Sequence, residues 1–168
     1  MTPAATADAA RVLALLVRGE ATVAVAESLT AGLIGAALTR PSGASAAFRG
    51  GAIVYATDLK HSLLGVPEDL LEREGAVHPA VAAAMAGGVR RLAGATYGLA
   101  ATGVAGPDEQ DGKPVGTVHL AVAGPGGAVW HREVALSGSR EQIRETTVRE
   151  GLDLLRGVLE ALVGEHSG

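Results

Sequence analysis

The chain contains no cysteine, and its five histidines stand apart at positions 61, 78, 119, 131 and 166. Thiolate nucleophiles, disulfides and cysteine-based metal sites are therefore excluded, and neither a zinc cluster nor a serine–histidine pair can be read from the spacing. Any chemistry has to use hydroxyls, lysine, tyrosine, carboxylates and backbone amides. Three polar turns offer such groups where an apolar run ends. "AESLTAG" (26–32) carries Glu27, Ser28, Thr30 and Gly32; "VYATDLK" (54–60) carries Tyr55 and Lys60; "ATGVAGP" (101–107) carries Thr102, Gly103 and Gly106. A serine at a strand-to-helix turn lies beside backbone N–H groups that could hold an oxyanion, which suits a nucleophile. The same serine also suits a helix N-cap, and the local residues leave both readings open.

Standard signatures do not account for these turns. "GPDEQDGKP" has five residues between Gly106 and Gly112 and a proline after Lys113, so it is not a phosphate loop. No dinucleotide-binding glycine motif follows a strand, no G-x-S-x-G elbow surrounds Ser28, and no H-E-x-x-H occurs.

The elements that must position the turns follow from hydrophobic period. Residues 7–18 place Val12, Leu13, Leu16 and Val17 on one helical face. "TVAVA" (22–26) reads as a buried strand and 30–39 as a helix that stops before Pro41. A second strand is expected at 50–56, with Thr57 or Asp58 capping a short helix that ends near Gly65, and another helical turn opens at Pro67. Residues 78–94 form a helix with Pro79 in its first turn, and 96–102 a third strand. Two alternating runs flank "GPGG", with Val118, Leu120 and Val122 on one face and Trp130, Val134 and Leu136 on another, which is a hairpin. A capping box at Ser139 and Gln142 opens a long last helix, and 164–168 read as a loose tail.

Alternating strands and helices predict an α/β fold, a three-layer α/β/α sandwich whose mixed sheet has a parallel part and an antiparallel hairpin. With 168 residues a single domain is expected, its core at about 7–163. Aromatic residues make up 2% of the chain against 48% hydrophobic, so the core must be aliphatic. A net charge of −4 argues against nucleic-acid binding, and no window suits a membrane span or signal peptide. A cytoplasmic location is expected. Ligands of such folds collect at the strand ends, where the three turns would meet.

"AESLTAGLI", "GGAIVYATDLKHSLLGV", "GAVHPAVAAAMAGG", "ATGVAGP", "KPVGTVHLAVAGP" and "SREQIR" resemble, in order and spacing, the CinA C-terminal domain family. The similarity spans about residues 10–162. The resemblance implies a nicotinamide-nucleotide amidohydrolase: hydrolysis of the carboxamide of nicotinamide mononucleotide to nicotinic acid mononucleotide and ammonia, in pyridine-nucleotide salvage. It implies no metal and no organic cofactor. Family members with two domains add an N-terminal nucleotide-processing domain, so this length is similar to the stand-alone form. Homodimers or higher homo-oligomers are implied as well.

Amide hydrolysis needs a nucleophile, oxyanion donors, a proton for ammonia and, here, an anion site. The resemblance makes Ser28 the nucleophile, with Thr30 orienting it or touching substrate. Lys60 or Tyr55 would accept the serine proton, the lysine only if burial or a nearby cation lowers its pKa. Thr102, Gly103 and Gly106 match a stretch that lines the family's active site. Gly50 and Gly51 fit either a tight strand start or room for a substrate ring. Arg140 and Arg144, near the last helix's start, suit a phosphate, and Glu27 a ribose hydroxyl or a pair with Lys60. Departures from the family pattern are Leu29 for its usual cysteine, Ala31 for the first of two glycines, and an acidic "DEQDG" loop (108–112). Two other classes of function remain: a non-catalytic nicotinamide-nucleotide-binding regulatory module, and a structural partner in DNA-uptake or repair assemblies.

Overall fold

The computed structural model describes residues 2–166. Six helices and five strands follow in the order α1 (Pro3–Arg18), β1 (Val23–Glu27), α2 (Leu33–Thr39), β2 (Phe48–Ile53), α3 (Thr57–Leu64), α4 (Glu68–Glu74), α5 (Pro79–Ala93), β3 (Tyr97–Gly103), β4 (Thr117–Ala123), β5 (Val129–Ala135) and α6 (Arg140–Glu165). The strands form one mixed sheet in the order β2-β1-β3-β4-β5, with β1 parallel to both β2 and β3, and β4 antiparallel to β3 and β5. Helices cover both faces, giving the expected α/β/α layers. Among the described residues no helix is long and apolar enough to cross a membrane.

Side-chain alternation divides the core in two. Val23, Val25, Leu99, Val118, Leu120 and Val122 pack with α1, α2 and α6, against Leu16, Ile34, Leu152 and Leu155. Trp130, Val134 and Leu136 join that side as the hairpin reading requires. Ala24, Ala26, Ala100, Ala121 and Ala123 pack on the other face with Leu64, Val81, Met85 and Val89 of α3 and α5. Backbone approach is close here: a Cβ on Gly98 would lie 2.1 Å from the Ala86 carbonyl oxygen, and one on Gly88 2.0 Å from that of Leu64. Only glycine fits at either position.

Most boundaries fall where the punctuating residues put them. Gly65 caps α3 in the left-handed region, Pro79 opens α5, and the Ser139–Gln142 capping box opens α6. Four differ. Helix α1 starts at Pro3, capped by the Thr2 side chain, rather than at residue 7. Helix α2 starts at Leu33 rather than 30, because Ala31 (φ 45°) and Gly32 (φ 99°) are left-handed and keep residues 28–32 in a turn. Ala56, not Thr57 or Asp58, is the N-cap of α3. Residues 164 and 165, expected in a loose tail, belong to α6; 167 and 168 lie outside the described residues.

Candidate active site

Strand β1 delivers Ser28 to the end of the sheet, where the Ser28 N–H still donates to the Ala101 carbonyl of β3 (3.1 Å). The chain then turns through Leu29 to Gly32 before α2 begins. Strand β2 ends at Ile53, and Val54 and Tyr55 lead into α3, whose first turn swings Lys60 back under the turn. The Lys60 ammonium lies 2.9 Å from Ser28 Oγ and 2.7 Å from the Val54 carbonyl oxygen, both as acceptors. Lys60 is 1% exposed, and no carboxylate pairs with it among the described residues. Burial therefore lowers its pKa to about 8, with the charge of Asp111 pulling weakly the other way. A lysine poised near neutrality beside a hydroxyl can take and return the hydroxyl proton. Among the described residues the backbone N–H of Leu29, a residue that lines the cavity described below, has no hydrogen-bond partner, so the turn also offers an oxyanion donor.

A cavity of about 320 Å³ opens over this pair, lined by Ser28, Leu29, Tyr55, Thr57, the 103–106 turn, Asp108, Gln110 and Arg140. Its volume is that of a small-ligand site. The three turns singled out in the sequence do converge. Arg140 joins them: Nη1 donates to the Gly106 carbonyl (2.7 Å) and Nη2 to the Tyr55 hydroxyl (3.1 Å).

Several expected residues stand elsewhere. Tyr55 is 58% exposed at the cavity rim with its hydroxyl on Arg140, and it makes no hydrogen bond to Ser28. Of the two candidate proton acceptors, Lys60 is therefore the one in reach. Glu27 binds neither Lys60 nor the cavity. Its carboxylate accepts from the Ile34 and Gly35 N–H groups (2.8 and 3.1 Å) and so caps α2, whose own N-cap residue Gly32 has no side chain to offer. Thr102 lies on the same face of β3 as Ala100, but its hydroxyl donates to the Ala76 carbonyl (2.8 Å) and it does not line the cavity. Thr30 is fully buried with no partner for its hydroxyl, and does not bond Ser28. Gly50 and Gly51 lie within β2, paired with Ala24 and Val25. A Cβ on Gly51 would be 2.4 Å from the Val25 carbonyl oxygen, so strand packing, not a substrate ring, takes up the space. Arg144 donates to the Leu29 carbonyl (2.8 Å) and buttresses the serine turn from behind, lining a separate cavity of about 290 Å³. Gly103 and Gly106 do line the Ser28 cavity.

Asp108, Gln110 and Asp111 were not singled out by residue type, although the acidic loop that carries them was noticed as unusual. No group of three histidine, cysteine, aspartate or glutamate residues is placed to hold a metal ion among the described residues.

Together the fold and site define a three-layer α/β/α protein with a ligand-sized polar cavity built over a serine–lysine pair at the strand ends. The comparisons with known proteins place that architecture. A model described as the CinA C-terminal domain matches residues 5–159, and the chain belongs to that family. A CinA-like protein of Frankia casuarinae is 58% identical over 151 residues, covering 90% of this chain and 35% of that protein. One from a Synechococcus strain is 54% identical over 137 residues, covering 80% and 33%. The chain thus spans about a third of the length of these curated relatives. The crystal structure of the competence/damage-inducible protein CihA from Agrobacterium tumefaciens superposes with a TM-score of 0.90 at 36% identity, covering 95% of this chain and 98% of that one. A CinA superfamily protein from Escherichia coli gives 0.84 at 30% identity, with 92% and 91% covered.

Proposed function

We propose that the protein hydrolyses the carboxamide of nicotinamide mononucleotide, releasing ammonia and nicotinic acid mononucleotide. The observation that carries the reading is the buried Lys60 amine 2.9 Å from Ser28 Oγ, under a nucleotide-scale cavity. The substrate class is what the resemblance to the CinA C-terminal domain family implies.

In this reading the neutral Lys60 amine keeps one N–H on the Val54 carbonyl, which aims its lone pair at the serine hydroxyl. Lys60 takes the hydroxyl proton as Ser28 Oγ attacks the carboxamide carbon. The developing oxyanion is met by the Leu29 amide. The Lys60 ammonium then returns its proton to the nitrogen as the C–N bond breaks, ammonia leaves, and an acyl ester remains on Ser28. Water attacks that ester with Lys60 again as base, and the carboxylate product departs. Arg140, at the mouth with its guanidinium partly solvated, is the cation available to the substrate's phosphate. Tyr55 and Ile53, exposed large side chains at the same end, offer apolar contact to the ring.

The test is ammonia release from nicotinamide mononucleotide by purified protein, repeated with Ser28→Ala. Release by the wild type and loss in the variant is the expected outcome. Binding without release in the wild type would instead make the domain a nucleotide-binding module. Undiminished release by the variant would remove Ser28 from the nucleophile's role.

A further inference from the structure

The serine turn has a second cavity behind it. This one, about 290 Å³, lies where α1, α2 and the start of α6 meet, and it shares no lining residue with the Ser28 cavity. Part of its lining is hydrocarbon: Ala5 of α1 and Val148 of α6 are buried, and Leu33 of α2 partly so. The rest is charged. Arg40 stands at the end of α2, and Glu141, Arg144 and Glu145 lie on the opening turns of α6.

Positions 141, 144, 145 and 148 follow the i, i+3, i+4, i+7 pattern, so one face of α6 supplies all four. Glu141 and Glu145 are like charges at i,i+4, an arrangement that costs helix stability unless a cation lies between them. Among the described residues no ion pair engages either carboxylate, Arg40 or Arg144. Farther along α6 the opposite holds: Arg156 meets Asp153 and Glu160, and Arg132 of β5 meets Glu150 and Asp153. Arg144 is within helical reach of Glu141, yet its Nε donates to the Leu29 carbonyl (2.8 Å), and its two Nη groups have no partner among the described residues.

Leu29 lines the Ser28 cavity, so Arg144 lines one cavity and holds a residue of the other. The turn it holds is strained. Ala31 sits at φ 45° despite its Cβ, and the buried Thr30 hydroxyl has no partner. Such a turn depends on outside contacts for its shape.

We propose that this cavity is a second ligand site, for a small α-amino acid with an aliphatic side chain, and that Arg144 connects its occupancy to the serine turn. A zwitterion answers both signs of charge. Its ammonium lies between Glu141 and Glu145, its carboxylate takes the Nη groups of Arg144 with Arg40 beside it, and its side chain covers Ala5, Leu33 and Val148. A plain anion would face two carboxylates, and a plain amine two guanidinium groups. Nε stays on Leu29 while the Nη groups hold the carboxylate, so occupancy fixes the guanidinium plane and with it the Leu29 backbone.

The experiment titrates L-leucine into the purified chain by calorimetry, beside isocaproate, which lacks the amine, and isoamylamine, which lacks the carboxylate. L-leucine is expected to bind once per chain and about tenfold or more tighter than either, because each truncation removes a charge-assisted hydrogen bond. Glu145→Gln should weaken L-leucine by about tenfold and leave isocaproate no weaker than before. No binding of L-leucine at millimolar concentration, isocaproate binding as tightly as leucine, or an affinity for leucine unmoved by Glu145→Gln overturns the site. A second arm follows the backbone amide NMR signal of Leu29 during the same titration. The signal should move as the site fills in the wild type and stay in place in Arg144→Lys, which keeps a charge for the carboxylate but loses the fork that reaches Leu29 as well. A Leu29 signal that is still in the leucine-bound wild type, or that moves as far in Arg144→Lys, overturns the connection. Neither readout needs turnover, so failure here leaves the amidohydrolase reading of Ser28 and Lys60 untouched.

Discussion

On one face of the sheet Val23, Val25, Leu99, Val118, Leu120 and Val122 meet α1, α2 and α6; on the other Ala24, Ala26, Gly98, Ala100, Ala121 and Ala123 meet α3, α4 and α5. The first face buries far more hydrocarbon, and α6 adds an ionic network in which Arg132 reaches Glu150 and Asp153, and Arg156 reaches Asp153 and Glu160. Small residues on the second face bring α5 almost onto the strands and hold α3 against α5 through Gly88. That closeness is what puts Lys60 in a dry place with its amine on Ser28. Burial of aliphatics on one side supplies stability, and close backbone packing on the other tunes a titratable group.

The sharpest way to break this contrast is to remove Lys60 itself. Lys60→Met, like Ser28→Ala, should lower kcat by about a thousandfold or more, because each removes one half of a pair that acts together. Its effect on stability should have the opposite sign. The folded pKa of about 8 lies below the ordinary 10.5, so the native state carries a penalty below pH 8 that fades as pH rises toward 10.5. The full shift corresponds to about 3 kcal/mol, offset by about 1 kcal/mol for the Val54 carbonyl left without a donor. Denaturant titrations should find Lys60→Met the more stable protein at pH 7, with the advantage shrinking between pH 8 and 10.5. A variant less stable than the wild type at both ends would mean that the lysine is structural. In the wild type the acid limb of kcat/KM should fall near pH 8, where the amine loses its proton.

Substitutions one step down in size separate the two faces. Gly88→Ala forces a methyl group to within 2.0 Å of the Leu64 carbonyl, a backbone atom that can yield only by moving α3. A loss of about 3 kcal/mol is expected, with a fall in kcat of the folded protein as Lys60 shifts from Ser28. Leu152→Ala, fully buried on the other face, should cost a similar 3 kcal/mol through its cavity while kcat stays within about twofold. Equal losses of kcat would erase the distinction between the faces.

The same division explains what could be read from the chain. Local punctuation carried Gly65, Pro79 and the Ser139–Gln142 box, because a left-handed cap, a missing N–H and a capping box act within a few residues. The convergence of the 26–32, 54–60 and 101–107 turns followed from strands and helices alternating. What stayed hidden depends on contacts between distant segments. Glu27 looked like a ligand residue because its role as the cap of α2 is visible only once Ala31 and Gly32 turn the helix start back over it. Thr102 and Asp111 act on residue 76 from 26 and 35 positions away. Gly51 is small because β1 lies against it, and Gly50 because its backbone takes a positive φ (140°), neither of which a local pattern names.

Glu27→Gln tests the boundary between the faces, since α2 belongs to the aliphatic side but begins just after the serine turn. Glutamine can still accept from the Ile34 and Gly35 amides with one oxygen, but loses the charge that suits a helix start. A drop of about 1 kcal/mol in unfolding free energy is expected, with kcat within a few-fold of wild type. A loss of activity far beyond the loss of stability would return Glu27 to the reacting groups.

Arg140 carries the smallest effect and the finest distinction. It sits outside both cores, at the start of α6, and spans the mouth from Gly106 to Tyr55. Its hydrogen bonds are exposed, so their loss should leave stability within about 0.5 kcal/mol. If it meets the substrate's phosphate through charge at the rim, Arg140→Ala should raise KM by about tenfold with kcat little changed, and salt should raise the wild-type KM in the same direction. Arg140→Lys keeps the charge but cannot hold Gly106 and Tyr55 with one planar fork. Recovery of KM by lysine would assign the residue to phosphate charge. A lysine variant as poor as alanine would mean that Arg140 works by tying the 103–106 turn to Tyr55, and that the mouth's shape, more than its charge, selects the ligand.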